Sequence, residues 1–115
     1  MPAVFVETNI EITDPTAMGQ EISKLVANVL NKPEKNMTVS FRKAITMIRG
    51  GIPTNYAYIE VRSIGGLNPT VNNTLSKLIG ELFEKHDLDK SKISLNFMDI
   101  APQNWGKATG TLDKK

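Results

Sequence analysis

Residues 68–83 read NPTVNNTLSKLIGELF. Asn68 offers a side-chain oxygen to the unpaired amides of a helix start, and Pro69 suits the first helical position because its missing N–H would have no intrahelical partner there. Val71, Leu75, Leu78, Ile79, Leu82 and Phe83 follow at helical spacing and share one face. The same plan stands earlier in the chain. Asp14 and Pro15 open DPTAMGQEISKLVANVL at 14–30, where Met18, Ile22, Leu25, Val26, Val29 and Leu30 each lie 53 residues before their counterparts. Six apolar positions at one separation identify an internal repeat.

Strand signals flank both helices. AVFVET at 3–8 and MTVSF at 37–41 bracket the first, with Pro33 stopping it; NYAYIEVRS at 55–63 and ISLNF at 93–97 bracket the second. Ile93, Leu95 and Phe97 answer Met37, Val39 and Phe41. Two β-α-β repeats, about 2–42 and 55–99, predict an α+β fold: a four-stranded mixed sheet with two helices on one face, in a single domain spanning 1–115 with a C-terminal tail at 101–115. Val4 and Val6 point away from Ala3 and Phe5, and YIEV at 58–61 and SLNFM at 94–98 offer apolar groups to both sides. The open sheet face is therefore expected to be apolar and covered by another chain or a long ligand, an oligomer being the simpler solution. RKAITMIRGGIPT at 42–54 and PQNWGKATGTL at 102–112 each suit either a short edge strand or a loop.

Composition removes several chemistries. A net charge of +2 implies no polyanion partner, with Lys107, Lys114 and Lys115 placing part of it in a solvated tail. No stretch approaches the roughly 18 apolar residues of a membrane span, and AVFV lacks the basic prelude of a signal peptide, so a cytoplasmic protein is expected. Without cysteine there is no disulfide, thiolate nucleophile or thiol metal site; His86, the one histidine, sits at a helix end in EKHDLDK and assembles no zinc cluster. No metal or organic cofactor is expected.

The element order is shared with RNA-recognition domains, whose central strands display aromatic side chains to bases. VFVETN at 4–9 and YAYIEV at 56–61 resemble their strand signatures. Thr54 and Asn55 stand where basic and glycine residues belong, however, and RGG at 49–51 is too far upstream.

A different resemblance covers almost the whole chain. MPAVFVETN at 1–9, NKP at 31–33, RSIGGLNP at 62–69 and SLNFMDIAPQNWG at 94–106 resemble the macrophage migration inhibitory factor and D-dopachrome tautomerase family of the tautomerase superfamily. The resemblance implies a homotrimer with sheets around a central axis. It implies keto–enol tautomerisation of small 2-oxo acids such as phenylpyruvate, without cofactor, or a cytokine-like, protein-binding role in which the pocket is retained and export needs no leader. Pro2 is then the base and the returning acid. Lys32 holds the substrate carboxylate, the Ile64 backbone N–H donates to the substrate, and Asn96 comes from the next subunit.

Chemical sense supports these roles. Removal of Met1 turns Pro2 into a free secondary amine. Antiparallel pairing of the two central strands brings Pro2 to Ser63, Ile64 and Gly65, and Ala3, Ile64, Ile100 and Trp105 would desolvate it. Desolvation and the Lys32 charge both favour a neutral amine, which from a reference pKa near 8 is a competent base at neutral pH. At the pocket rim the chain departs from animal relatives. Asn36 and Ser94 stand in place of two tyrosines, Lys107 in place of a tryptophan and Leu112 in place of a phenylalanine, predicting a less aromatic, more cationic mouth. Tyr56 and Ile59 replace the cysteines of a CxxC element, and Arg49 replaces a phenylalanine before the paired glycines.

Overall fold

A computed structural model describes residues 1–113; Lys114 and Lys115 lie outside the described residues. In chain order the elements are β1 (Pro2–Thr8), α1 (Pro15–Leu30), β2 (Thr38–Lys43), β3 (Ile48–Arg49), β4 (Ile52–Pro53), β5 (Ala57–Ser63), α2 (Pro69–Glu84), β6 (Ile93–Asp99), β7 (Gly106–Lys107) and β8 (Gly110–Thr111). Both helices start as their sequences predict. The Asp14 carboxylate accepts the Ala17 N–H at 3.0 Å and the Asn68 side chain accepts the Val71 N–H at 2.8 Å. α1 ends on Asn31, whose left-handed backbone (φ 54°) turns the chain toward Lys32.

The main sheet runs β2-β1-β5-β6, with β1 parallel to β2, antiparallel to β5, and β5 parallel to β6. Val4, Val6, Ile59 and Val61 face Met18, Ile22, Val26, Leu75, Ile79 and Phe83, all buried in one core. Burying each such side chain contributes about 1.5–3 kcal/mol. The 53-residue correspondence thus describes which faces of the two helices meet the sheet.

The open sheet face is polar, contrary to the expected apolar surface. Strict alternation sends Ile59 and Val61 to the core and leaves Tyr58, Glu60 and Arg62 outside, while Leu95 and Phe97 pair in register with Ile59 and Val61 and leave Asn96 out. Arg62 donates to Glu60 at 2.8 Å and its guanidinium stacks 5.2 Å from the Phe5 ring centre. Carboxylates also lie across from both aromatics there, Glu60 opposite Phe5 and Glu7 opposite Tyr58. Glu7 and Glu60 balance Arg42 and Arg62 on this face, which leaves it without the excess positive charge that draws a phosphate backbone.

Phe5 aside, the exposed large apolar side chains lie elsewhere. β3 and β4 pair with each other through Gly50 and Gly51, at φ 59° and 79°, rather than extending the sheet edge. Ile45, Ile48 and Ile52 stand exposed on this segment. Arg49, the departure from the family pattern, places its guanidinium 5.4 Å from the Tyr56 ring centre. The tail likewise folds on itself, with β7 paired to β8.

Candidate active site

β1 and β5 meet so that Pro2 pairs with Ser63, the approach expected from antiparallel pairing, and Pro2 is almost fully buried. β6 closes the same end, where the Ile100 N–H donates to the Ser63 carbonyl at 2.8 Å. Past Ser63 the chain turns through Gly65 and Gly66, both with positive φ. The Ser63 hydroxyl donates to the Gly65 carbonyl at 2.7 Å, and the Asp99 carboxylate accepts the Gly65 N–H at 3.1 Å. The turn is thus held locally by Ser63 and from outside by Asp99 at the end of β6.

Lys32 enters from the helix layer and donates its ammonium to the Ile64 carbonyl at 2.7 Å. Its stem passes over Gly66, where a Cβ would stand 3.2 Å from Lys32 Cε. One of the three ammonium protons is thereby engaged and two remain for an anion. At the same end of the sheet Ala3 and Ile100, with Asn104, Trp105 and Gly106 of the tail, wall a cleft of about 220 Å3 that also touches Phe5 and Arg62 and that neither Pro2 nor Lys32 lines. Leu112 donates its N–H to the Trp105 carbonyl at 3.0 Å and ties that wall down.

The amine at the chain start belongs to Met1, and the Pro2 nitrogen is bonded to its carbonyl. Partial burial holds that amine below its ordinary value, and the positive charges of Lys32 and then Lys107 push in the same direction.

Pro2, Lys32, Ser63, Ile64, Ile100 and Trp105 therefore converge at one end of the sheet. Asn36 ends a turn four residues beyond Lys32, half-buried, its N–H bonded to the Pro33 carbonyl at 3.1 Å. Ser94 and Asn96 are not brought to Pro2 within this chain. They lie on the open face of β6, about 16 and 10 Å along the strand from Asp99, the residue that pairs with Ser63. Ser94 hydrogen-bonds the Tyr56 hydroxyl, and Asn96 donates to the Tyr58 hydroxyl at 3.3 Å. Sequence reasoning missed Asp99, whose contact spans 34 residues, and the part of Gly66 in seating Lys32. The paired glycines after Ser63 were the available signal for the second.

Comparison with known proteins settles the kinship of this arrangement. The family model described as macrophage migration inhibitory factor (MIF) matches residues 1–113. The chain belongs to the MIF family. Among MIF relatives it is 31% identical over 102 residues to a macrophage migration inhibitory factor homolog of Trichinella spiralis, covering 87% of this chain and 90% of that protein. It is also 26% identical to the D-dopachrome decarboxylase of Mus musculus, over 93% of each chain. The crystal structure of a MIF homologue from Prochlorococcus marinus superposes with a TM-score of 0.90 at 26% identity, covering 96% of this chain and 98% of that one. The MIF resemblance read from MPAVFVETN, NKP, RSIGGLNP and SLNFMDIAPQNWG and the α+β architecture read from the repeat both hold.

Proposed function

We infer that this MIF-family chain, once Met1 is removed, is a keto–enol tautomerase of small 2-oxo acids, for which phenylpyruvate is a suitable test compound. The observation that carries this is the pairing of Pro2 with Ser63 beside the Lys32 ammonium, in surroundings that already lower the proton affinity of the amine at the chain start. Removal of Met1 moves the chain start by one residue to Pro2, still at the end of the sheet that Lys32 enters, so the same direction of shift is expected.

In the proposed reaction the neutral Pro2 nitrogen removes a proton from the carbon beside the ketone. The C–H electron pair forms the carbon–carbon double bond, and the carbonyl electrons move to oxygen. The Ile64 N–H and the remaining Lys32 protons stabilise the enolate and the carboxylate, and Pro2 returns its proton to the enolate oxygen. The reverse path delivers that proton to carbon. The fixed proline ring keeps the lone pair aimed with little motion. No redox step or nucleophile is involved.

A trimer is part of the same proposal. Asn96, remote from its own Pro2, would reach the site of a neighbouring copy, and exposed Ile45, Ile48 and Ile52 give an apolar hairpin to seat there. The polar open face would then line the assembly without supplying its main attraction.

The test begins with intact mass, to establish Met1 removal, followed by phenylpyruvate ketonisation. Pro2→Gly is expected to lower kcat/KM by about a hundredfold or more; an unchanged rate would remove Pro2 from the chemistry. A protein that serves only as a binding partner would keep its partner after that change.

A further inference from the structure

The peptide between Ile64 and Gly65 is gripped by opposite charges at its two ends. Its carbonyl accepts from the Lys32 ammonium at 2.7 Å, and its N–H donates to the Asp99 carboxylate at 3.1 Å. In a trans peptide these two groups point in opposite directions, and among the described residues no peptide is cis. Carboxylate, peptide dipole and ammonium therefore follow one another with opposite charge meeting at each junction. A carboxylate on the N–H polarises the unit and makes its carbonyl a better acceptor for Lys32.

The preceding peptide is held by the same stretch of chain. Ile100, the residue after Asp99, donates its N–H to the Ser63 carbonyl at 2.8 Å, which turns the Ile64 N–H of that trans unit away from Ile100. The end of β6 thus fixes two successive peptides, one presenting the Ile64 N–H and the next presenting the Ile64 carbonyl. An external hold matters here because Gly65 and Gly66, at φ 72° and 83°, can reach many other conformations without steric cost. The Ser63 hydroxyl bonds the Gly65 carbonyl, which belongs to the following peptide, and leaves the Ile64–Gly65 unit to Asp99 and Lys32. Parallel pairing of β5 with β6 sets Ser63 opposite Asp99 and so delivers the carboxylate where the chain leaves the strand. Among the described residues the ion pairs join Lys43 to Glu11, Arg62 to Glu60 and Lys90 to Glu84, so the contact that Lys32 and Asp99 share is this peptide.

We propose that Asp99 is a positioning residue for anion binding: through the Ile64–Gly65 peptide it fixes the Lys32 ammonium where that group receives the carboxylate of a 2-oxo acid. The inference rests on the tautomerase reading of the site and adds to it a residue that does not touch substrate. Asp99 is exposed, so water competes for its bond and the expected effect is a few-fold change in substrate binding.

The test is a double-mutant cycle on Met1-free protein, with Asp99→Ala and Asp99→Asn each made alone and together with Lys32→Gln. Phenylpyruvate kinetics read KM and kcat separately. A carboxylate held equally before and during reaction acts through KM, so Asp99→Ala should raise KM about fivefold and change kcat by less than about twofold. Asp99→Asn keeps a neutral acceptor for the Gly65 N–H and should give a smaller rise. In the Lys32→Gln background there is no ammonium to fix, and Asp99→Ala should change KM by less than about twofold. A purely structural residue would give the same fold-change in both backgrounds. That result, or a KM change below about twofold where Lys32 is present, overturns the proposal. The nearly isosteric Asp99→Asn carries the same requirement of non-additivity if the alanine variant does not fold.

Calorimetric titration with 2-oxo-2-phenylacetate, a 2-oxo acid with no hydrogen to enolise, repeats the cycle without turnover. Non-additive affinities support Asp99 acting through Lys32 even if phenylpyruvate is not turned over, in which case the tautomerase reading alone fails. Turnover of phenylpyruvate with additive losses overturns the role of Asp99 and leaves the tautomerase reading standing. Absence of measurable binding where both Lys32 and Asp99 are present overturns the role of Asp99 as well.

Discussion

Gly65 and Gly66 provide a paired test of how the turn after Ser63 sets Lys32. Both residues have φ in the left-handed region, 72° and 83°. An L-residue in this region costs about 1–2 kcal/mol, so Gly65→Ala and Gly66→Ala should each lose about that much stability. Their local consequences differ. A Cβ at Gly65 meets nothing within 4 Å, whereas one at Gly66 stands 3.2 Å from Lys32 Cε and 3.7 Å from Leu30 Cδ2. The flexible lysine stem yields before the leucine, and its displacement lengthens the 2.7 Å bond from the ammonium to the Ile64 carbonyl. Charged hydrogen bonds contribute about 1.5–3 kcal/mol, and losing part of that, about 1 kcal/mol, corresponds to a roughly fivefold rise in KM for a 2-oxo acid. Urea unfolding at a fixed protomer concentration measures the shared loss, and phenylpyruvate kinetics on Met1-free protein measures the difference. An equal KM rise in both variants, or none in Gly66→Ala, would refute the coupling between this turn and Lys32.

Other consequences are open to direct measurement. Ile79→Ala, at a fully buried position in the common core, should cost about 2–5 kcal/mol in urea unfolding; a loss below about 1 kcal/mol would contradict its placement. The base is active when deprotonated, so kcat/KM should rise with pH through a midpoint below the ordinary α-amine value of about 8. Because Lys32 helps to depress the amine, Lys32→Gln should move that midpoint upward, and an unmoved midpoint would deny the interaction. Replacing Ile48 and Ile52 together by Ser should shift sedimentation from trimer toward monomer at micromolar protein, while an unchanged trimer would place the apolar contact elsewhere.

Much of the architecture was legible because it repeats. Ile22 with Leu75 and Val26 with Ile79 are buried pairs that the 53-residue separation marks out, and Asp14 and Asn68 cap their helices through local contacts that a short window of sequence encodes. The meeting of Pro2 with Ser63 followed once the two central strands were paired antiparallel.

The polar open face was also written in the alternation of Tyr58, Glu60 and Arg62. It was obscured by treating YIEV as apolar on both sides, when its period of two assigns each residue to one side only. Long-range polar contacts were not legible in the same way. The hold of Asp99 on the Gly65 N–H depends on β6 finishing beside the turn, and the stacking of Arg49 on Tyr56 depends on the path of the β3-β4 hairpin. Such contacts leave no periodic trace. The separation of Asn96 from Pro2 within the chain likewise needed the strand register, which assigns Asn96 opposite Glu60 rather than Ser63.

The most direct measurement is a pH titration of the Pro2 nitrogen by 15N NMR in Met1-free protein with isotopically labelled proline. The account predicts for Pro2 the direction held by the chain-start amine of Met1, a midpoint below 8.0 through burial and the charges of Lys32 and Lys107. A midpoint at or above that value would show an amine that stays protonated where the proposed base must be free.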